Sequence, residues 1–185
     1  AGNLLLELKT TSGKPSAVAM DSPIRTRCRV TLDRIVCESV DDDDDNEAIY
    51  GYIGVGAYSP KTVPSGINIL PIGNDSSLFW ARLDGDPLIF STNQTRVFNI
   101  SREFFLDDDG WIVIKADLNE DDDNGDKNET RSDDNDDKLG EVKSRKIFLR
   151  DLPTAYDPVF SSGGTRIHVY FTIEKTGTTP ALEVH

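Results

Sequence analysis

Residues 41–47 read DDDDDNE, six carboxylates with no base among them, and residues 107–141 add fifteen acids against four bases. Carboxylates this dense repel one another, so ordering them without a cation in between is costly. The chemistry such oxygens do best is to hold a hard ion. Calcium takes about six to eight oxygens, mostly carboxylates and carbonyls, at about 2.3–2.6 Å. The competing reading is a solvated loop: blocks of like charge are commonly disordered, and residues 119–138 are polar enough to stay unfolded.

The acidity belongs to these two stretches and not to the chain as a whole. They carry net charges of −6 and −11, whereas the 185 residues together carry −13, so the rest sums to +4. Two negative patches repel phosphates, which argues against nucleic acid as a partner. Cations and basic surfaces are the natural ligands. The EF-hand loop does not account for the pattern. With Gly125 as the loop glycine, Glu120, Asp122 and Asn124 fall at the right spacing, but Arg131 stands where a bidentate glutamate is required and no helical pattern flanks the loop.

Catalytic signatures are absent from the sequence. There is no Gly-x-Ser-x-Gly, no His-Glu-x-x-His and no phosphate-cradling glycine loop. The two histidines are His168, which alternates with apolar residues and reads as a surface or boundary residue, and His185, the last residue given. A carboxylate pair about 5–10 Å apart could serve glycoside hydrolysis, but nothing in the spacing singles one out. The expectation is a binding module and not an enzyme.

The elements that must position the acids read as strands. RVTLDRIVCESV (29–40) leads into the first run, and AIYGYIGVGAY (48–58) leads out of it with Ile49, Ile53, Val55 and Ala57 on the core-facing side. INILPI (67–72), SLFWARL (77–83), PLIF (87–90), TRVFNI (95–100) and WIVIKADL (111–118) follow, then VKSRKIFL (142–149) and RIHVYFTIEK (166–175). No segment of twelve or more residues keeps a helical period. Glycine and proline punctuate the chain about every ten residues, which predicts an antiparallel β-sandwich of about eight strands with long acidic loops, the whole forming one domain. Trp80, Trp111, Phe79 and Phe105 lie in apolar strands and are expected in the core. An exposed Trp80 beside Tyr50, Tyr52 or Tyr58 would instead make a sugar-stacking face. Cys28 and Cys37 lie on one extended stretch, roughly 30 Å apart, and are expected to be free, packed thiols. N-x-S/T sequons at Asn74, Asn93, Asn99 and Asn128 point to a secreted or cell-surface chain.

Taken in order, these parts resemble the C2 domain, the calcium-dependent membrane-binding β-sandwich of the protein kinase C and synaptotagmin type. VTLDRIVCESV, DDDDDNE and AIYGYIGV stand where that family has a strand, an Asp-bearing loop and the next strand. WIVIKADLN brings Asp117 and Asn119, DDKLGE brings Asp136, Asp137 and the hydrophobic-Gly-Glu turn, and GTRIHVYFTIEK resembles the family's last strand. The chain departs from the family in carrying Glu47-Ala48 for Asp-Pro, Asn119 for a second Asp, and a much longer insert at 119–138. More loosely, VTLDRIVCESVDDDDDNEAIYGYI resembles the terminal β-sandwich of relatives of the cholesterol-dependent cytolysins. The resemblance implies calcium as cofactor, with Asp41, Asp43, Asp45, Glu47, Asp117, Asn119, Asp136 and Asp137 as its ligands. It implies attachment to a membrane surface or cell-surface receptor, with a glycan-binding or adhesion module as the alternative.

Overall fold

The computed structural model describes residues 4–9, 15–20, 24–41, 46–58, 75–83, 85–121 and 138–180. A hairpin of β1 (Leu4–Lys9) and β2 (Pro15–Met20) forms a two-stranded sheet. The remaining strands are β3 (Ile24–Ser39), β4 (Asn46–Tyr58), β5 (Asp75–Arg82), β6 (Leu88–Ser91), β7 (Thr95–Leu106), β8 (Trp111–Glu120), β9 (Lys138–Lys143), β10 (Ile147–Phe148), β11 (Thr154–Tyr156), β12 (Val159–Ser162) and β13 (Thr165–Pro180). One sheet runs β10-β8-β4-β5, with β9 beside β10 on the edge of β8 and β6 beside β5 on the edge of β4. The other runs β11-β13-β3-β7, with β12 continuing the edge beside β13. Every pairing is antiparallel. Each of these two sheets is thus four strands wide, and together they make the all-β sandwich predicted from the pattern.

The core between the sheets follows from alternation corrected by bulges. On β13, Ile167, Val169, Phe171 and Ile173 are buried while His168, Tyr170 and Thr172 face outward. On β3 the inward residues are Cys28, Val30 and Leu32, then Ile35 and Cys37, so the parity changes at Asp33. The ladders to β7 and β13 both slip there. A bulge adds one residue to a strand, and this one brings two cysteines nine positions apart to the same face. Both thiols are free and buried, as expected. A slip on β5 likewise turns both Phe79 and Trp80 inward, and one on β9 tucks Leu139 into the core.

Several expectations change. Trp111 and Phe105 face outward, because the inward residues of β8 are Ile112, Ile114, Ala116 and Leu118 and those of β7 are Phe104 and Leu106. Trp111 is half-buried, stacked on Tyr58 at 5.9 Å. The single strand expected over 142–149 is two, β9 and β10. Between them Ser144 Oγ accepts the Ile114 amide at 2.9 Å, replacing a ladder bond. The strand expected at 67–72 lies outside the described residues.

Candidate functional site at the acidic end of the sandwich

The first acidic run joins β3 to β4 and the second joins β8 to β9. Strands β4 and β8 are antiparallel neighbours, with Ile49 opposite Glu120 and Tyr52 opposite Asp117. The end of β8 therefore meets the start of β4, and the two runs leave the sandwich from the same end. The Asp121 amide donates to the Ala48 carbonyl at 2.8 Å, closing the two strands where the acids begin. The turn between β6 and β7 and the Gly163-Gly164 turn between β12 and β13 lie at this end too. Asp107, Asp108 and Asp109 lie at the other. There Asp107 is buried, accepts the Gly110 amide through its carbonyl and sits 3.4 Å from Arg25 Nε.

Of the candidate ligands, Asp41, Glu47, Asp117 and Asn119 are described, and Asp43, Asp45, Asp136 and Asp137 lie outside the described residues. Asp41 is exposed and its amide donates to Glu47 Oε1 at 3.1 Å. Glu47 faces inward, 3 % exposed, and the same oxygen accepts the Thr165 hydroxyl at 2.8 Å. Gly163 and Gly164 press against Asp41: a Cβ on Gly164 would stand 2.8 Å from the Asp41 Cα, and one on Gly163 3.0 Å from its Oδ2. The structure thus brings Asp41 and Glu47 together at the mouth of the first run.

Asp117 and Asn119 lie on the other face of β8. The inward set on that strand continues through Leu118 to Glu120, so these two point to the outer side of the sheet. Asp117 Oδ2 is 3.7 Å from Lys138 Nζ. Its Oδ1 is buried with no hydrogen-bond partner among the described residues. A buried carboxylate oxygen left unpaired is costly. Among the described residues no three acidic, histidine or cysteine side chains converge on one point.

Two further acids at this end, Glu120 and Asp121, are not among the candidates that the sequence singles out. Both are buried, 7 % and 8 % exposed, and both engage in polar interactions. The alternation Ala116, Leu118, Glu120 is the signal that marks Glu120 as inward-facing, because β8 runs two residues past the strand expected to end at Leu118. Three carboxylates, Glu47, Glu120 and Asp121, are consequently buried at the end of the sandwich from which both acidic runs emerge.

The chain matches no family model and no curated protein. Solved structures to which it is similar include a human group IVD cytosolic phospholipase A2 in complex with methyl gamma-linolenyl fluorophosphonate and terbium chloride, at 13 % identity and a TM-score of 0.36. The similarity covers 84 % of this chain, which spans 18 % of the length of that one. A second is the first C2 domain of a plant extended synaptotagmin 1, at 11 % identity and a TM-score of 0.35, covering 82 % of this chain and 95 % of that one. These likenesses bear on nothing beyond the fold. In fold, a C2 domain is among the structures this sandwich is similar to.

Proposed function

We propose that this chain is a non-catalytic calcium-binding β-sandwich module that attaches to a membrane surface or cell-surface receptor through its acidic end. The observation that carries the reading is topological. Strands β3 and β8 deliver both acidic runs to one end of the sandwich, where Asp41 and Glu47 already meet and Glu120 and Asp121 are buried alongside. Bound calcium would offset the mutual repulsion of these carboxylates and turn a patch that repels anionic surfaces into one that tolerates them. Asp41, Asp43, Asp45 and Glu47 supply ligands from the first run, with Asp117, Asn119, Asp136 and Asp137 flanking the second. The unpaired Oδ1 of Asp117 supports its place in that set. The glycan alternative loses its anchor, since Trp80 is buried, 8 % exposed, away from the tyrosine face.

Thermal melting in excess EDTA, about 1 mM calcium and about 1 mM magnesium tests the ion. A ligand at a hundredfold excess over its Kd stabilises the native state by about 2.7 kcal/mol, here a rise on the order of 5–10 °C. A calcium-specific rise, followed by calcium-dependent sedimentation with vesicles containing anionic lipid, is the expected result. An unchanged melting temperature at millimolar calcium would remove the proposal.

A further inference from the structure

On the outer face of the β3–β13 sheet, His168 stands among groups that make opposite demands on its protons. Its Nε2 lies 3.1 Å from the Asp157 carbonyl oxygen, which can only accept. Its Nδ1 lies 3.0 Å from Glu38 Oε1, also an acceptor when ionised, and 2.9 Å from the Tyr170 hydroxyl, which can donate. The imidazole is stacked on the Tyr170 ring at 4.1 Å, and its side chain is 16 % exposed. The surroundings are charged on every side. From β3 come Glu38 and Arg34, whose guanidinium lies 3.9 Å above the Tyr170 ring. From β13 comes Arg166, bonded to the second Glu38 oxygen. From the segment between β11 and β12 comes the Asp157 carboxylate, 3.7 Å from Nε2.

We propose that His168 is a proton-operated brace in which Nδ1 exchanges partners, accepting from Tyr170 when the ring is neutral and donating to Glu38 when it is charged. Nε2–H donates to Asp157 in both states, so the segment between β11 and β12 stays pinned to β13 while the link to β3 is made and released. That segment is held once more by the Val169 amide, which donates to the Pro158 carbonyl at 3.0 Å. The neutral ring leaves the Nδ1 lone pair facing a carboxylate; protonation converts the contact to a charge-assisted bond across two strands. The hydrogen bond from His168, followed by that from Arg166, holds the Glu38 carboxyl below its usual range, so the acceptor is ionised wherever histidine titrates. Glu38 lies three residues before Asp41, at the end of β3 that enters the first acidic run. The exchange itself does not depend on cation binding there.

The test is nitrogen-15 NMR of the His168 ring from about pH 5 to pH 8 in the wild-type chain, Glu38→Gln and Tyr170→Phe. In the wild type the neutral ring should carry its proton on Nε2, and the charged ring should show Nδ1–H bonded to Glu38. Glu38→Gln should move the titration to lower pH by weakening the charged form's acceptor. Tyr170→Phe should move it to higher pH by removing the neutral form's donor. Shifts in the same direction, or none, would overturn the exchange. So would a neutral wild-type ring protonated on Nδ1, a readout that stands even if a variant fails to fold.

Discussion

The Thr165 hydroxyl donates to Glu47 Oε1 across the sandwich at 2.8 Å, joining the first residue of β13 in one sheet to the second residue of β4 in the other. The oxygen that accepts it also accepts the Asp41 amide. A buried carboxylate that satisfies two donors from two elements fixes where the first acidic run begins. Glu47→Ala should therefore destabilise by roughly 2–4 kcal/mol, because two buried donors lose a charged acceptor together. Glu47→Gln keeps an acceptor oxygen, and Thr165→Val removes a single donor, so each should cost about 1–2 kcal/mol. Urea unfolding midpoints of the three variants, compared at constant slope, check the order. Equal losses for Glu47→Ala and Thr165→Val would mean the Asp41 amide finds another partner.

Gly51 is the point at which β4 comes closest to β8. A Cβ there would stand 2.0 Å from the Asp117 carbonyl oxygen, at a φ of +124°, where backbone atoms cannot give way as a flexible side chain could. Gly51→Ala should cost roughly 3 kcal/mol or more, through separation of two central strands. It should also disturb the Asp117 side chain, and hence the calcium response, beyond what the loss of stability alone would produce. Calcium titration of the variant, held well below its melting temperature, separates the two effects. An unaltered affinity would place Asp117 outside the site.

Alternation and punctuation in the sequence are enough to predict an all-β sandwich, since most strands expose one face to water and bury the other. The exceptions are places where alternation breaks. Asp33 reads as an ordinary polar residue, yet the bulge there reverses the facing of everything after it on β3. Trp111 is apolar enough to be taken for core, but its neighbours Ile112 and Ile114 claim the inward side. At the candidate site, the acidic runs are plain in composition. Their meeting at one end depends on β4 and β8 being neighbours, a pairing with no local sequence signal. Glu120 escapes a reading by composition because a buried acid at a strand end looks like the first residue of an acidic loop.

Burial pushes the Cys28 thiol up from an ordinary 9.0 to about 11, against the opposing pull of Lys175. Cys37 rises to about 11 as well, by burial first and then by the Glu47 and Glu38 carboxylates nearby. Both groups hold their protons in the folded chain at pH values where the unfolded chain loses them. Their contribution to stability is therefore complete below about pH 9 and disappears as pH rises toward about 11. The alkaline limb of the stability curve should be steep across that window and flatter in the Cys28→Ala/Cys37→Ala variant. Native thiols should also react with an aromatic disulfide orders of magnitude more slowly than after denaturation. Rapid labelling of the native chain would contradict the packing of both.

Lys138 sits 3.7 Å from Asp117 Oδ2 and 3.5 Å from Glu141 Oε2, at the start of β9 where the second acidic run ends. Its side chain is 55 % exposed, so the ion pairs contribute little to stability, on the order of 0–1 kcal/mol. For cation binding the lysine is a competitor, placing a fixed positive charge beside an oxygen proposed to face calcium. Lys138→Ala should leave the melting temperature in EDTA nearly unchanged and tighten calcium binding by up to about fivefold, the equivalent of that ion-pair energy. Asp117→Asn should act in the opposite direction, weakening calcium binding while relieving the charge on the orphaned Oδ1 in the metal-free chain. Isothermal titration of the two variants beside the wild type distinguishes this from a merely solvated loop. In that case neither substitution would alter the calcium isotherm, and Lys138 would be a surface residue with no bearing on the acidic end.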